Sequence, residues 1–315
     1  MKGVASYPIP VNPKKIFKGV VRGNMKKLPE IQMQGRSGCV LDVMKSGEHV
    51  IIRKYSNSIA YNQRLIKQAE KQQDFYTNIQ PGQRFSTARV IDIFPSQTSM
   101  ASFTMPYLFS EKYSDYLEKV SFDELKVLLQ DILAYLRYNI QNSSHEAISS
   151  SIIEAKLDEL KRHFGKNEYA GDEIFLSRVI TLLESSIPGG LLPIGKCHGD
   201  LTFSNILFSE SKIYLLDFLD SFIESPIIDI VKLRQDTCFK WSVMLEGEMQ
   251  SHKKNKIIQT FNYLDKEILS FCKDELGMEE WYNYLQVFNL VRIIPYLHNK
   301  EEVIFVEDSL RQLIK

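Results

Sequence analysis

The chain has no excess of charge of either sign, no long apolar run and no paired cysteines, and each lack removes a class of function. Its 39 Lys and Arg balance 39 Asp and Glu, so the formal net charge is zero. That withdraws the electrostatic footprint expected of a nucleic-acid partner. No stretch approaches the roughly 18 apolar residues of a membrane-spanning helix, so no membrane partner is expected. The first thirty residues carry Lys2, Lys14, Lys15, Lys18, Lys26 and Lys27 but no apolar stretch of the length a secretory signal needs. Cys39, Cys197, Cys238 and Cys272 stand far apart, without a CxxC pair or a histidine at zinc-like spacing. Reduced thiols in a cytoplasmic protein are the expectation.

What is present is an ordinary globular composition, 44% hydrophobic and 25% charged over 315 residues. That length suffices for two domains or one two-lobed unit with a sizeable core. The charge is unevenly spread: residues 1–75 hold 14 basic against 5 acidic side chains. A basic first part suits an anion such as a nucleotide, or equally a solvated surface.

The chain is organised around residues 197–218. Two short apolar runs, Ile206–Phe208 and Ile213–Leu216, flank the polar tip Ser209-Glu210-Ser211-Lys212 and read as a hairpin. Asp200 and Asn205 precede the first strand and Asp217 closes the second, so two carboxylates and an amide converge at one end. Hard oxygen ligands of this kind hold Mg2+ together with substrate phosphates, while a remaining carboxylate can position a hydroxyl. In phosphoryl transfer of the kinase type, an Asp accepts the substrate proton, an Asn five residues on holds metal, and an Asp before Phe holds metal as well.

His198-Gly199-Asp200-Leu201, three further residues and then Asn205, with Asp217-Phe218 after the hairpin, resemble the catalytic segment of the aminoglycoside phosphotransferase and choline kinase superfamily. The resemblance implies an α+β, bilobal protein-kinase-like fold, with a small antiparallel five-stranded β lobe and a larger mainly helical lobe. It implies Asp200 as the residue that orients the acceptor, Asn205 and Asp217 as metal ligands, His198 as a scaffold hydrogen-bonder, and Asp229 as a buttress of the catalytic loop. Asp220 is read either as a substrate or metal-site group or as an exposed residue. The co-substrate implied is ATP or GTP with Mg2+, and the partner a small-molecule acceptor.

Residues 1–30, rich in Pro and Lys, read as an irregular lead-in to a nucleotide-binding lobe ending near residue 105, with residues 106–315 forming the catalytic and acceptor-binding lobe. Strands are expected at 31–34, 39–44 and 49–55 as a meander, and at 88–94 and 100–105, with a helix over 59–77. The turn Gly35-Arg36-Ser37-Gly38 is a candidate phosphate loop: Gly35 and Gly38 let the backbone approach phosphates and Ser37 adds a hydroxyl. It departs from the GxGxxG pattern of protein kinases. A cation on the third strand is expected at the phosphates. Val50-Ile51-Ile52-Arg53 is similar to the stretch in choline kinases where an Arg stands in for Lys, so Arg53 is favoured and Lys54 is the alternative, since alternation forbids both. Glu70, 17 residues on, is the candidate partner of that cation. Met105 and Tyr107 lie in the expected hinge, where the base would bind.

Ser121-Phe122-Asp123-Glu124 is a capping box opening a helix to about residue 139, followed by helices near 148–164 and 171–186. The aromatics Trp241, Phe261, Tyr263, Trp281, Tyr282 and Tyr284 are read as core or as a cation–π cage for a quaternary ammonium. Ser225–Asp236 and Tyr61–Leu65 look similar to phosphotransferases associated with capsule and lipopolysaccharide synthesis, which implies a sugar or sugar-derived acceptor. A choline or ethanolamine acceptor ranks second and an aminoglycoside third. A catalytically silent binding protein is the rival from another class, and the intact Asp200, Asn205 and Asp217 argue against it. No Ala-Pro-Glu follows Asp217-Phe218, and Leu219 stands where protein kinases carry Gly.

Overall fold

The computed structural model describes residues 26–34, 39–79, 83–164, 171–209 and 211–314. In chain order the first elements are β1 (Lys26–Gln34), β2 (Val40–Ser46), β3 (His49–Tyr55), α1 (Asn62–Thr77), β4 (Phe85–Thr87), β5 (Asp92–Phe94) and β6 (Ser102–Pro106). The chain forms two compact units. The first holds the described residues up to Ala69 together with Ala88–Leu108, and the second holds Glu70–Thr87 and everything from Phe109.

The first unit carries a five-stranded sheet in the order β1-β2-β3-β6-β5, every neighbouring pair antiparallel. The expected meander is there, but β1 starts at Lys26, inside the stretch read as irregular. Its register slips between Lys27 and Gln32, around Pro29. A proline is tolerated here because β1 is an edge strand and the irregularity absorbs the missing donor. The expected strand 88–94 is shorter: only Asp92–Phe94 pairs with β6, and the preceding Phe85–Thr87 belongs to a different sheet.

Side-chain alternation along β3 decides which cation sits on which face. Lys54 stands opposite Phe103 and Ile52 opposite Met105. Phe103 and Met105 join Leu65 and Ala69 of α1, Cys39, Ala88 and Val90 in the small core of this unit. Lys54, 3% exposed, therefore shares the face that packs on α1. Arg53 is on the other face. At the start of α1, Asn62 pins the loop 96–101: its amide nitrogen donates to the Ser96 and Ser99 carbonyls and its oxygen accepts the Ala101 N–H.

The second unit continues with β7 (Glu111–Lys112), α2 (Tyr113–Lys119), α3 (Phe122–Gln141), β8 (Ser144–Ala147), α4 (Ser150–Phe164), α5 (Glu173–Ser185), β9 (Leu191–Ile194), β10 (Ile206–Phe208), β11 (Ile213–Leu215), α6 (Pro226–Thr237), α7 (Trp241–Leu245), α8 (Ser251–Ser270), α9 (Glu279–Ile293) and α10 (Lys300–Leu313). The capping box at Ser121 and Glu124 forms reciprocally, as read from the sequence. β8 and β9 make a small antiparallel pair. A four-stranded sheet, β4-β11-β10-β7, holds the hairpin β10–β11 between β4, parallel to β11, and the short β7.

At the centre lies α6. Ser225 caps it, Pro226 opens it, and every residue from Pro226 to Thr237 except Lys232 is buried. An apolar helix packed on all sides belongs in the middle of a domain. What is unusual is its load of charge, Asp229, Lys232, Arg234 and Asp236, since buried charges are costly unless each is paired or hydrogen-bonded. Arg234 is satisfied by a two-pronged pair with Asp265, both bonds 2.8 Å, and lies over the Tyr282 ring. The other three reach the candidate site.

Candidate active site

The expected hairpin forms, with Ile206 opposite Leu215, Leu207 opposite Tyr214 and Phe208 opposite Ile213. The ladder runs one step further, the Leu216 N–H donating to the Asn205 carbonyl at 2.9 Å. Asn205 and Asp217 therefore flank the open end, away from the turn closed between Ser209 and Lys212. Asp217 has φ 58°, in the left-handed region. For a non-glycine residue this costs of the order of 1–3 kcal/mol, and such strain concentrates at functional sites.

His198 joins the two sides of the site. Its Nε2–H donates to the Leu216 carbonyl at 2.7 Å, since a carbonyl can only accept, and Nδ1 accepts the Asp200 N–H at 3.2 Å. Its carbonyl accepts the Leu219 N–H at 3.0 Å. Burial holds the imidazole down at about 4, so the ring is neutral and both nitrogens are committed to structure. The next residue, Gly199, has φ +85°, and a Cβ there would stand 2.4 Å from the Leu219 carbonyl oxygen.

Two carboxylates of α6 hold the loop from behind. Asp229 accepts the His198 and Gly199 N–H groups, each at 2.8 Å, and the Tyr135 hydroxyl at 3.2 Å. Asp236 accepts the Phe203 N–H at 2.5 Å and the Ser242 N–H at 2.7 Å. Burial raises both carboxyls to about 6, against the pull of those same donors.

Asp200 sits between two partners. Lys232 of α6 reaches Oδ1 at 2.9 Å, and the Asn205 amide nitrogen donates to Oδ2 at 3.0 Å and to the Asp200 carbonyl at 2.8 Å. Burial by itself would raise this carboxyl. The Lys232 charge and its hydrogen bond, with His198 and Asn205, outweigh burial and hold it below the ordinary aspartate value. Asp200 is thus an ionised acceptor, its side chain 26% exposed. Because the Asn205 nitrogen is spent on Asp200, its amide oxygen is the atom left for a cation. An amide oxygen and the Asp217 carboxylate are the hard donors that Mg2+ takes alongside phosphate oxygens, so the donor set fits that ion. Among the described residues, no three His, Cys, Asp or Glu side chains gather as a metal site by themselves.

The remaining candidates fall as follows. Gly35, Ser37 and Gly38 lie outside the described residues. Arg53 donates to the Ser102 hydroxyl at 3.0 Å and lies over the Phe94 and Tyr55 rings, at 4.5 and 5.0 Å. The arginine is thus engaged on the face away from α1, and Lys54 is the buried one. Glu70 is exposed, because the buried face of α1 runs through Asn62, Leu65, Gln68, Ala69 and Gln72. It pairs with no cation among the described residues. Met105 is buried in the small core, and the Tyr107 N–H donates to the Val50 carbonyl at 3.0 Å. Asp220 is exposed. Cys197 is buried and burial pushes its thiol well up, so it is no nucleophile. Trp241, Phe261, Trp281, Tyr282 and Tyr284 are buried in the core, Trp281 donating to the Gly190 carbonyl and Tyr284 to that of Leu183, and Tyr263 is half-buried and packed edge-on against Phe122. They form no cage.

Three residues of the site were not anticipated. Lys232 and Asp236 follow Asp229 at three and seven residues on a helix that opens with an apolar run, and that spacing places all three near one face. This was the available signal. The third, Lys71 of α1, donates to the Leu219 carbonyl at 2.7 Å and to Glu224 at 2.6 Å, while Glu224 also accepts the Ser221 N–H at 2.8 Å. It anchors the segment after Asp217-Phe218, and nothing in its local sequence marks it.

The profile of the phosphotransferase enzyme family, APH, matches residues 56–252. This chain belongs to that family. With it comes the enzyme class, a small-molecule kinase. No curated protein matches the chain by sequence. Solved structures similar to it include a thermostable mutant of aminoglycoside phosphotransferase APH(4)-Ia, with TM-score 0.57, 11% identity and coverage of 93% of this chain and 94% of the other. A glucosamine kinase in complex with glucosamine, ADP and inorganic phosphate has TM-score 0.52, 11% identity and coverage of 89% and 76%. A putative fructosamine-3-kinase from Haemophilus somnus 129PT has TM-score 0.52, 10% identity and coverage of 93% and 91%. At such identity the likeness speaks for the fold, which is the α+β kinase-like one expected. Among the described residues, no helix is long and apolar enough to cross a membrane.

Proposed function

We propose that the chain transfers the γ-phosphoryl group of ATP or GTP to a hydroxyl of a sugar or sugar-derived small molecule, and that it acts in the cytoplasm. The observation that carries this reading is the Asp200 carboxylate, held at one oxygen by Lys232 and at the other by Asn205. The acceptor hydroxyl donates to Asp200 and its oxygen bonds to the γ-phosphorus. The bond from that phosphorus to the β–γ bridging oxygen breaks, the proton passes to Asp200, and the nucleoside diphosphate leaves. Mg2+, when bound through the Asn205 amide oxygen and the Asp217 carboxylate, supplies neutralisation of the phosphate charge.

Lys54 is the strand cation assigned to the α and β phosphates, and the backbone of residues 105–107 to the base. Asp229, Asp236 and His198 hold the loop without touching the reactants. A sugar acceptor is supported by the glucosamine complex of a structural neighbour and by the resemblance of residues 225–236 to surface-polysaccharide phosphotransferases. Burial of the C-terminal aromatics weakens the choline alternative, since a cation–π cage needs exposed ring faces.

The experiment is release of nucleoside diphosphate across sugars, amino sugars, nucleoside-linked sugars and amino alcohols with ATP or GTP and Mg2+. Asp217→Ala is expected to abolish metal-dependent nucleotide binding, and Asp200→Ala to keep binding and lose turnover. Most of the turnover surviving in Asp200→Ala would overturn the assignment of the base.

A further inference from the structure

Lys232 is the one residue of α6 that is not fully buried, yet its side chain is only 11% exposed. Its ammonium lies 2.9 Å from Asp200 Oδ1 and 3.3 Å from the Gln235 amide oxygen one turn later. That oxygen also accepts the Asn289 amide of α9 at 2.9 Å. The lysine is thus clamped from its own helix and, through Gln235, from α9. A loose surface pair would have neither restraint and would contribute little.

A lysine withdrawn this far from water is costly where an apolar residue would complete the packing of α6. It is aimed at the one carboxylate whose direction governs the chemistry. Among the described residues, the other side chain that hydrogen-bonds the Asp200 carboxylate is Asn205, and Asn205 already has a proposed task at the metal. On the loop itself, between Asp200 and Asn205, Leu201, Thr202, Phe203 and Ser204 offer no cation.

We propose that Lys232 is a positioning residue for phosphoryl transfer, fixing the Asp200 carboxylate toward the acceptor hydroxyl from a helix that the catalytic loop does not contain. This rests on the phosphotransferase reading above and adds to it a residue outside the catalytic motif. Misplacing a catalytic group by about 1 Å costs of the order of a hundredfold in rate, so the effect falls on kcat.

The test compares wild type, Lys232→Met, Lys232→Arg, Asp200→Asn and the Asp200→Asn/Lys232→Met double variant. ADP release from ATP and Mg2+ is followed with water alone and with the acceptor panel, beside stabilisation by ADP. Lys232→Met is expected to lower kcat roughly tenfold to hundredfold with the KM for ATP and stabilisation by ADP unchanged, and Lys232→Arg to recover part of it. On the Asp200→Asn background Lys232→Met should have no further effect, because there is no carboxylate left to position. Wild-type kcat in Lys232→Met, a full further loss on Asp200→Asn, or a loss expressed in the KM for ATP would overturn the proposal. If wild type releases no ADP with water or any acceptor, it is the phosphotransferase reading that fails. Denaturant unfolding of the same variants then judges the pair: non-additive losses support it and additive ones overturn it.

Discussion

Replacing Gly199 with alanine puts a methyl carbon 2.4 Å from the Leu219 carbonyl oxygen and 3.3 Å from its carbonyl carbon. Carbon and oxygen approach to about 3.3–3.6 Å even in their closest favourable contacts, so the two have to part by about 1 Å. Neither side is free to do so. Gly199 is held by Asp229 through its N–H. Leu219 is held through its N–H by His198 and through its oxygen by Lys71. In addition alanine has to adopt φ +85°, and the left-handed conformation costs a non-glycine residue about 1–2 kcal/mol. Together these predict a loss of about 2–4 kcal/mol of stability. Because the displaced segments adjoin Asp200 on one side and Asp217 on the other, a loss of about a hundredfold in turnover is expected as well. Gly277→Ala is the control: Gly277 has φ +62° with nothing within 4 Å of a Cβ, so it carries the backbone cost alone. Denaturant unfolding of both variants separates the two contributions. A Gly199→Ala protein no less stable than Gly277→Ala, with wild-type turnover, would refute the reasoning.

Lys54→Met is expected to weaken nucleotide binding, seen as a raised KM for ATP, whereas Arg53→Met leaves it nearly unchanged and loses only the contacts with Ser102, Tyr55 and Phe94; the reverse order would restore the arginine to the phosphates. Asp229→Asn makes a prediction in pH. The folded Asp229 carboxyl titrates near 6 against an ordinary 3.8, so the native state binds this proton more tightly. Stability contributed by Asp229 is therefore full below about pH 4 and falls as the pH rises through 6, by about 3 kcal/mol for a shift of two units. The stability gap between wild type and Asp229→Asn should accordingly narrow from pH 4 to 6. Asp236, which titrates in the same window, and His198, whose contribution runs the other way there, are common to both proteins and cancel in the difference. Unfolding at a series of pH values reads the gap, and a gap that widens with pH contradicts the assignment.

The catalytic hairpin was legible because its signals are local. An eight-residue motif, two apolar runs and a polar tip lie within 22 consecutive residues, and the strand pairing that brings Asn205 and Asp217 together follows from their spacing. The capping box at Ser121 was readable for the same reason, as it joins residues three apart. Strand ends were less so. Phe85–Thr87 pairs with β11, far along the chain, and no local pattern announces that partner. The face of β3 could not be chosen from alternation, which says that Arg53 and Lys54 are opposed but not which of them meets α1. Likewise Glu70 has a plausible spacing from the strand, yet which side of α1 is buried depends on what the helix packs against.

By itself, then, the sequence determined the reaction class: Asp200, Asn205 and Asp217 stand at intervals that short-range geometry turns into one constellation, whatever surrounds it. Only the tertiary structure decided what holds that constellation in place. Lys71 lies more than a hundred residues before the hairpin, Tyr135 more than sixty, and Lys232 and Asp236 come down on the loop from the helix whose Asp229 the family resemblance had already marked as a buttress. The partner of each is set by how helices pack. The candidate catalytic groups are defined by chain neighbours, whereas their support comes from across the core, where burial makes every hydrogen bond to Asp229 and Asp236 obligatory.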